Sequence, residues 1–287
     1  MAAGADASRR AGGRDERADA TGGASDRARS RDRNRRGDPD RGRGSHRRGL
    51  AARDEAAREL MDDPACDLAM LERTYERFGL VNAVVSGQRA VYRTWIRPRL
   101  RRRAAVGDVG RMLDVGTGGA DLPRRVLRWA RADGLPLEVV AIDPDERAID
   151  FARRRPPMPG LELRPVSSRE LVAGGEWFDV VASNHVLHHL TGQELGALLA
   201  DSERLVAPGG VAVHGDIERT RYGYAAFWLG TLPFQPNLLR GSFIRPDGLT
   251  SIRRSHTAAE LAAGLPAEWQ VRRAFPSRLE VVWEAPL

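Results

Sequence analysis

One stretch of this chain limits its fold more than any other: Met112-Leu113-Asp114-Val115-Gly116-Thr117-Gly118-Gly119-Ala120-Asp121. It reads as a buried strand with an acid near its end, then glycines that permit positive φ and close approach of a ligand to the backbone. Pro123 follows in what reads as the first turn of a helix. Strand, glycine loop and helix in that order open a doubly wound α/β domain, and a loop at the carboxyl end of such a strand lies where these folds bind ligands. A glycine-rich loop alone is a weak signal. Here a second apolar run, Leu-Glu-Val-Val-Ala-Ile, ends in Asp143 about 22 residues after the loop, the spacing of nucleoside-cofactor sites. A carboxylate there can accept both ribose hydroxyls; its alternative role is a helix N-cap.

The rest of the chain repeats this rhythm. Apolar runs at Arg111–Val115, Leu137–Asp143, Leu161–Pro165, Phe178–Asn184, Gly210–Asp216, Trp269–Ala274 and Arg278–Trp283 predict seven strands. Helical spacing falls between them, at about 121–133, 145–154, 193–206 and 257–263, as expected for a sheet covered on both faces. Only Phe275, Pro276 and Ser277 separate the last two strands, too few for a crossover, so they form a hairpin and the last strand is antiparallel.

Before this domain, residues 49–105 carry helical spacing through Leu60, Leu68, Leu71, Tyr75, Phe78, Val91, Tyr92 and Trp95, which predicts two or three helices as a cap. They end in the basic run Arg97–Arg103, read as a solvated helix end. Residues 1–48 have no aromatic and almost no branched aliphatic side chain, so they are expected to be a disordered Arg-rich tail, with clusters at Arg35, Arg36, Arg47 and Arg48.

Charge must be located before it can name a partner. The net +7 is carried by Arg alone, and residues 1–50 hold 14 Arg against 8 Asp and Glu, leaving the folded part nearly neutral. A nucleic-acid enzyme would carry positive charge on the domain that meets phosphates, so nucleic acid is disfavoured as partner. With a single cysteine, Cys66, the chain has no internal disulfide, and a cytoplasmic location is expected. No apolar run is long enough for a membrane span.

These motifs resemble the class I S-adenosylmethionine-dependent methyltransferases, over residues from about 106 to 287 and most closely at Leu113–Asp121, Val139–Pro144 and Phe178–Leu190. Within that class the chain resembles the ubiquinone and menaquinone methyltransferase group and actinobacterial enzymes of secondary metabolism. The resemblance implies a Rossmann-like, seven-stranded doubly wound sheet, an antiparallel last strand and S-adenosylmethionine as cofactor. It carries Asp114 and Gly116 over as contacts of the methionine end, with Thr117 in the same loop, Gly118 as backbone clearance, Asp143 as ribose ligand and Pro144 as a wall of the adenine pocket. Asn184 and His185 follow strand four at the methyl-donor edge. Two positions depart from the family pattern: Ala120 replaces its third glycine, and Ser167 stands where relatives place the acid that reads the adenine amine, a contact serine can still make.

His185, His188 and His189 lie just past strand four. A phenol or enol loses its proton as its oxygen attacks carbon, and an imidazole suits that task at neutral pH. Each of the three is a candidate base, with packing as the alternative, and the first histidine of the family's Leu-His-His-Leu segment often serves structure. No cysteine or acid near them in sequence completes a metal site, so no metal is expected.

Residues 219–256 form a lid insertion after strand five, rich in Tyr222, Tyr224, Phe227, Trp228 and Leu229. With Tyr75 and Asn82 of the cap, Tyr224, Phe227 and Trp228 are expected to line an apolar pocket for a planar or polyketide-like small molecule. Asp247-Gly248 reads as a turn, and Arg253 or Arg254 as a surface ion pair, or a partner of Asp216 or of an anionic substrate.

The function expected is O-methylation of a phenolic or enolic small molecule in secondary metabolism, with C-methylation of a quinone precursor next. The competing classes are a nicotinamide enzyme, a methyltransferase fold with a non-methylating reaction, and a cofactor-binding module whose tail recruits a partner. A homodimer is compatible with all of them.

Overall fold

In the computed structural model the described residues are 50–287, so the expectation for residues 1–48 lies outside them. The cap contributes α1 (Leu68–Val85) and a longer helix, α2, in which Gln88–Val91 runs through a π-helical turn, Tyr92–Ile96, into Arg97–Ala105. The domain then alternates β1 (Gly110–Val115), α3 (Asp121–Ala132), β2 (Leu137–Ile142), α4 (Glu146–Arg154), β3 (Leu161–Arg164), α5 (Ser168–Ala173), β4 (Phe178–Asn184), α6 (Gly192–Leu205) and β5 (Val206–Ile217). After β5 come α7 (Arg221–Thr231), α8 (Ile244–Arg254), α9 (Ala258–Gly264), β6 (Gln270–Ala274) and β7 (Arg278–Glu284).

The seven strands lie in the order β3-β2-β1-β4-β5-β7-β6, with β7 antiparallel to both β5 and β6. Alternation along each strand feeds two cores. Met112, Val139, Val180, Val211 and Val282 face α2 and α3, while their neighbours Leu113, Val140, Val181, Ala212 and Val281 face α5, α6 and α9. Each such buried Val, Leu or Met side chain contributes about 1.5–3 kcal/mol, which is why all five strands are apolar on both faces. Helix α3 answers with Leu122, Val126, Leu127 and Ala130 buried at helical spacing.

A third, smaller core joins the cap to the sheet: Leu71 and Tyr75 of α1 meet Ala148 of α4 and Phe243 ahead of α8. Residues 50–59 are not helical, although the pattern predicted helix from Leu50. They form a strap held by tertiary bonds. Asp54 donates its N–H to the carbonyl of Arg253, and Arg53 donates to the carbonyls of Leu190 and Arg254 at 2.6 and 2.7 Å.

Asp247 and Gly248 lie inside α8 rather than in a turn. The Asp247 carboxylate accepts the N–H groups of Leu60 and Met61 at 2.8 and 3.0 Å. At Gly248 a Cβ would lie 2.4 Å from the Phe227 ring, so the glycine serves close helix packing. Pro246 is tolerated because it falls in the first turn.

Candidate active site

The site lies at the carboxyl ends of β1, β2 and β4, where the strand order reverses between β1 and β4. Register sets Asp114 of β1 between Ala141 and Ala182, two small neighbours that leave room around its carboxyl. The loop then turns through Gly116 at φ 68° and Gly118 at φ 52°. The N–H groups of Gly116 and Thr117 both donate to the carbonyl of Ile142, at 2.9 and 3.0 Å, tying the loop to the end of β2. Ala120 also adopts the left-handed region, at φ 58°, where glycine would be unstrained and alanine costs roughly 1–2 kcal/mol.

Asp143 closes the cradle from the other side. One carboxylate oxygen accepts the Gly118 N–H at 2.8 Å and the other the Asp145 N–H at 3.0 Å. The helix cap weighed for Asp143 belongs instead to Asp145, whose side chain accepts from the Arg147 N–H at the start of α4. Burial, with the Asp143 charge adding to it, pushes the Asp114 carboxyl up to about 7. Its Oδ2 and the Thr117 hydroxyl are buried without a hydrogen-bond partner among the described residues.

A cavity of about 430 Å³ opens over these groups. Of the residues expected in the site, Asp114, Gly116, Thr117, Gly118, Asp143, Pro144, Asn184, Tyr75, Asn82, Phe227, His185, His188 and His189 line it. Three expected residues do not. The Ser167 hydroxyl is spent on capping α5 with Glu170, Trp228 is exposed under the Arg245 guanidinium, and Tyr224 lies half-buried away from the cavity wall.

The histidines are three different objects. His188 is buried, with Nδ1 2.8 Å from Asp216 and Nε2 3.3 Å from Glu59. Burial disfavours its charged form, but the two flanking carboxylates outweigh that and raise it to about 10, so it holds a proton and clamps both acids. His185 takes the left-handed region at φ 63°, with Nε2 3.0 Å from the Ser86 hydroxyl and Nδ1 buried without a partner; burial lowers its pKa. His189 is the most exposed of the three, with Nδ1 3.3 Å from Asp62 and Nε2 3.9 Å from Glu59.

Sequence reasoning missed Glu59 and Asp62, which the strap delivers from more than a hundred residues away. They remove the premise that no acid lies near the histidines, since Glu59, His188 and His189 sit close enough together to hold a metal ion. As it stands the group is internally satisfied, because Glu59 accepts from Ser251 at 2.8 Å and from His188. Arg254, expected as a surface pair, is buried: it reaches Asp62 at 3.3 Å and the His189 carbonyl at 3.2 Å, while Asp216 pairs with His188. Gln88 and Ile244 also line the cavity, and nothing in their local sequence marks them.

With this geometry in hand, likeness to known proteins narrows the class. Residues 113–214 match the methyltransferase domain family. A ubiquinone biosynthesis O-methyltransferase of Ruegeria pomeroyi is 34% identical over 151 residues, 50% of this chain and 58% of that protein. One of Rhizobium etli is 33% identical over 112 residues, 38% of this chain and 42% of that protein. Human N-acetylserotonin methyltransferase, solved in complex with S-adenosylmethionine, shares the fold with a TM-score of 0.52 at 13% identity, covering 86% of this chain and 68% of that one.

Residues 113–214 carry the match to the methyltransferase domain family, and the described chain has the fold of a methyltransferase solved with S-adenosylmethionine. The chain resembles the ubiquinone biosynthesis O-methyltransferases, although the matches span only 58% and 42% of the length of those two relatives. The residues present fit S-adenosylmethionine. Asp114 Oδ2 and Thr117 Oγ1 are unpartnered acceptors suited to a cationic end, and Asp143 keeps free lone pairs beside the loop. A Cβ at Gly118 would meet nothing nearer than Tyr75 at 3.9 Å, so the loop backbone there is open to a ligand.

Proposed function

We propose that the protein methylates a phenolic or enolic oxygen of a small aromatic or polyketide-like molecule. The observation that carries this reading is one cavity with two chemistries. It offers Asp114, Thr117 and Asp143 around the glycine loop, and His189 beside Asp62 and Glu59, together with the apolar side chains of Tyr75, Phe78, Phe227 and Ile244. The names of the Ruegeria and Rhizobium relatives support oxygen as the acceptor.

When bound, S-adenosylmethionine supplies a methyl group already activated by its sulfonium. The chain's task is therefore alignment, exclusion of water and removal of one proton. In this reading Asp114, Thr117 and Asn184 hold the methionine end, Asp143 the ribose and Pro144 the adenine. His189 takes the proton of the acceptor hydroxyl. Asp62 orients its ring, and Asp62 and Glu59 stabilise the imidazolium that results. Both acids are ionised: burial opposes it, but the hydrogen bond and charge of His188 hold Glu59, and the hydrogen bond of His189 with the Arg254 charge holds Asp62, below the usual carboxylate range. His188, pinned by Asp216, positions the Glu59 carboxylate and does not touch the acceptor.

The test is incubation of the full chain with methyl-labelled S-adenosylmethionine and a panel of alkylphenols, resorcinols and enolic polyketides. Label on oxygen is expected. Label on ring carbon overturns the assignment of oxygen, and no transfer by a protein that binds the cofactor overturns methylation of this class.

Cofactor affinity should depend on pH through Asp114. A carboxyl raised to about 7 is mostly neutral below that pH, and a cationic ligand must ionise it to gain the charge interaction. Affinity for S-adenosylmethionine should fall by up to about tenfold per pH unit below pH 7 and level off above. The sign is opposite for the free fold. A raised carboxyl pKa contributes stability at low pH that is lost as pH rises from the ordinary aspartate value through 7. Calorimetric titration from acid to pH 8 checks this; a flat affinity in the wild type would remove Asp114 from the contact.

A further inference from the structure

We propose that Arg278 makes the site select a cofactor bearing an α-carboxylate, by fixing Asn184 so that its amide N–H groups face the cavity. This rests on the reading above that the cavity takes S-adenosylmethionine. Arg278 opens β7 and is only 1% exposed. Strand β7 pairs with β5, and β5 with β4. The guanidinium crosses β5 at Gly215 and reaches the end of β4, where Nη2 donates to Asn184 Oδ1 at 3.4 Å. Two glycines make room for the crossing. A Cβ at Gly215 would lie 2.8 Å from Nη2, and one at Gly87, in the joint between α1 and α2, would collide with Nη1.

Packing alone gives no reason for this arginine. Its Nε and Nη1 are both buried without a hydrogen-bond partner, and no other arginine among the described residues has two such nitrogens. The acids whose charge it feels are Glu280 and Asp216. Both are committed elsewhere, Glu280 to the Trp95 indole at 3.0 Å and Asp216 to His188 at 2.8 Å. A buried guanidinium with open donors costs stability, so its retention calls for a use outside the fold.

Asn184 supplies that use. With Oδ1 facing Arg278, its Nδ2 is left to donate, and Asn184 lines the cavity. The two charges of the methionine end then meet different surroundings. An ammonium finds acceptors in Asp114 Oδ2 and Gln88 Oε1, both buried without a partner. A carboxylate meets no cation on the wall, because no arginine lines the cavity among the described residues. Arg147, Arg155 and Arg254 pair instead with the wall acids Asp145, Asp121 and Asp62. Arg278 sets its charge behind Asn184, where burial leaves it poorly screened. Asn184 makes the contact, and Arg278 is its positioning residue.

The test is calorimetric binding of two ligands, without turnover. One is S-adenosylhomocysteine; the other is its decarboxylated analogue, S-adenosyl-3-thiopropylamine, which keeps the ammonium and lacks the carboxylate. Wild type should bind the first about ten- to a hundredfold more tightly, the range for a hydrogen-bonded charge. Arg278→Met should remove most of that preference while leaving affinity for the analogue unchanged. Its melting temperature should not fall, since the variant removes a buried charge without a full set of partners. Asn184→Ala should show the same selective loss, and the double variant should lose no more than Asn184→Ala alone. Arg278→Lys keeps the charge without the fork, so it should retain part of the preference and serves if Arg278→Met does not fold. Equal wild-type affinity for the two ligands overturns the inference and leaves the cofactor site standing. So does a loss in Arg278→Met that is the same for both ligands, the mark of a merely structural role. A wild type that binds neither ligand overturns the cofactor reading and the inference with it.

Discussion

Gly116→Val is expected to abolish measurable S-adenosylmethionine binding, a loss of about 100-fold or more, while the domain still folds. Gly116 sits at φ 68°, which a β-branched residue tolerates at a cost of about 1–3 kcal/mol. Its Cβ would lie 2.6 Å from Cγ2 of Val186. The sequence pattern suggested that a side chain here would fill ligand space; the structure directs it into the segment after β4 instead. Relief of that contact must move either the loop, which is pinned by the Gly116 and Thr117 N–H bonds to Ile142, or Val186 and with it His185. Either movement disturbs the cradle. Gly134→Val is the control, because Gly134 has φ 69° and nothing within 4 Å of its would-be Cβ. Both variants should lose comparable backbone stability, within the margin of a domain of this size, but only Gly116→Val should lose the cofactor by calorimetry. Wild-type affinity in Gly116→Val would mean that the loop is not the cofactor cradle.

His189→Ala should lower the single-turnover rate of methyl transfer by about 10²–10⁴-fold with little change in cofactor affinity, the range for loss of a general base. Sequence alone left His185, His188 and His189 as candidate bases. At His185, however, Nε2 lies 3.0 Å from the Ser86 hydroxyl, and the buried Nδ1 faces the Asp216 carboxylate at 3.8 Å. His185→Ala should therefore cost much less. The pH profile separates the two readings. Burial lowers the His185 pKa, so a base there would lose its proton below the ordinary imidazole value, and the acid limb of the rate would lie below about pH 6.5 and vanish in His185→Ala. Asp62→Asn should share part of the His189→Ala defect, since the carboxylate 3.3 Å from Nδ1 stabilises the imidazolium. Full rate in His189→Ala would leave alignment alone as the chain's contribution, as for a phenol acidified by its own substituents.

The β-strands were legible because burial on both faces leaves continuous apolar runs. The loop was legible because glycine is unstrained in the left-handed turns at residues 116 and 118. Helix α5 was missed because it is six residues long and shows too few turns to establish a period. Helix α8 was misread at Asp247-Gly248 because a local pattern of turn residues concealed two tertiary uses, a carboxylate for the strap and a missing Cβ for Phe227. Ser167 matched a family position but is spent on capping a helix that the pattern did not reveal.

From the sequence alone followed the strand order of events along the chain, the hairpin that makes β7 antiparallel, and the Asp114, Gly116 and Asp143 cradle, since each depends on residues close together in the chain. Only the tertiary structure brought Glu59 and Asp62 to His188 and His189, set His188 between two carboxylates, and turned an apolar face of α7 outward. Those arrangements join segments far apart in sequence. Periodicity records which way a side chain faces within its own element, whereas the partner it meets is decided by where the sheet and the cap place the other element.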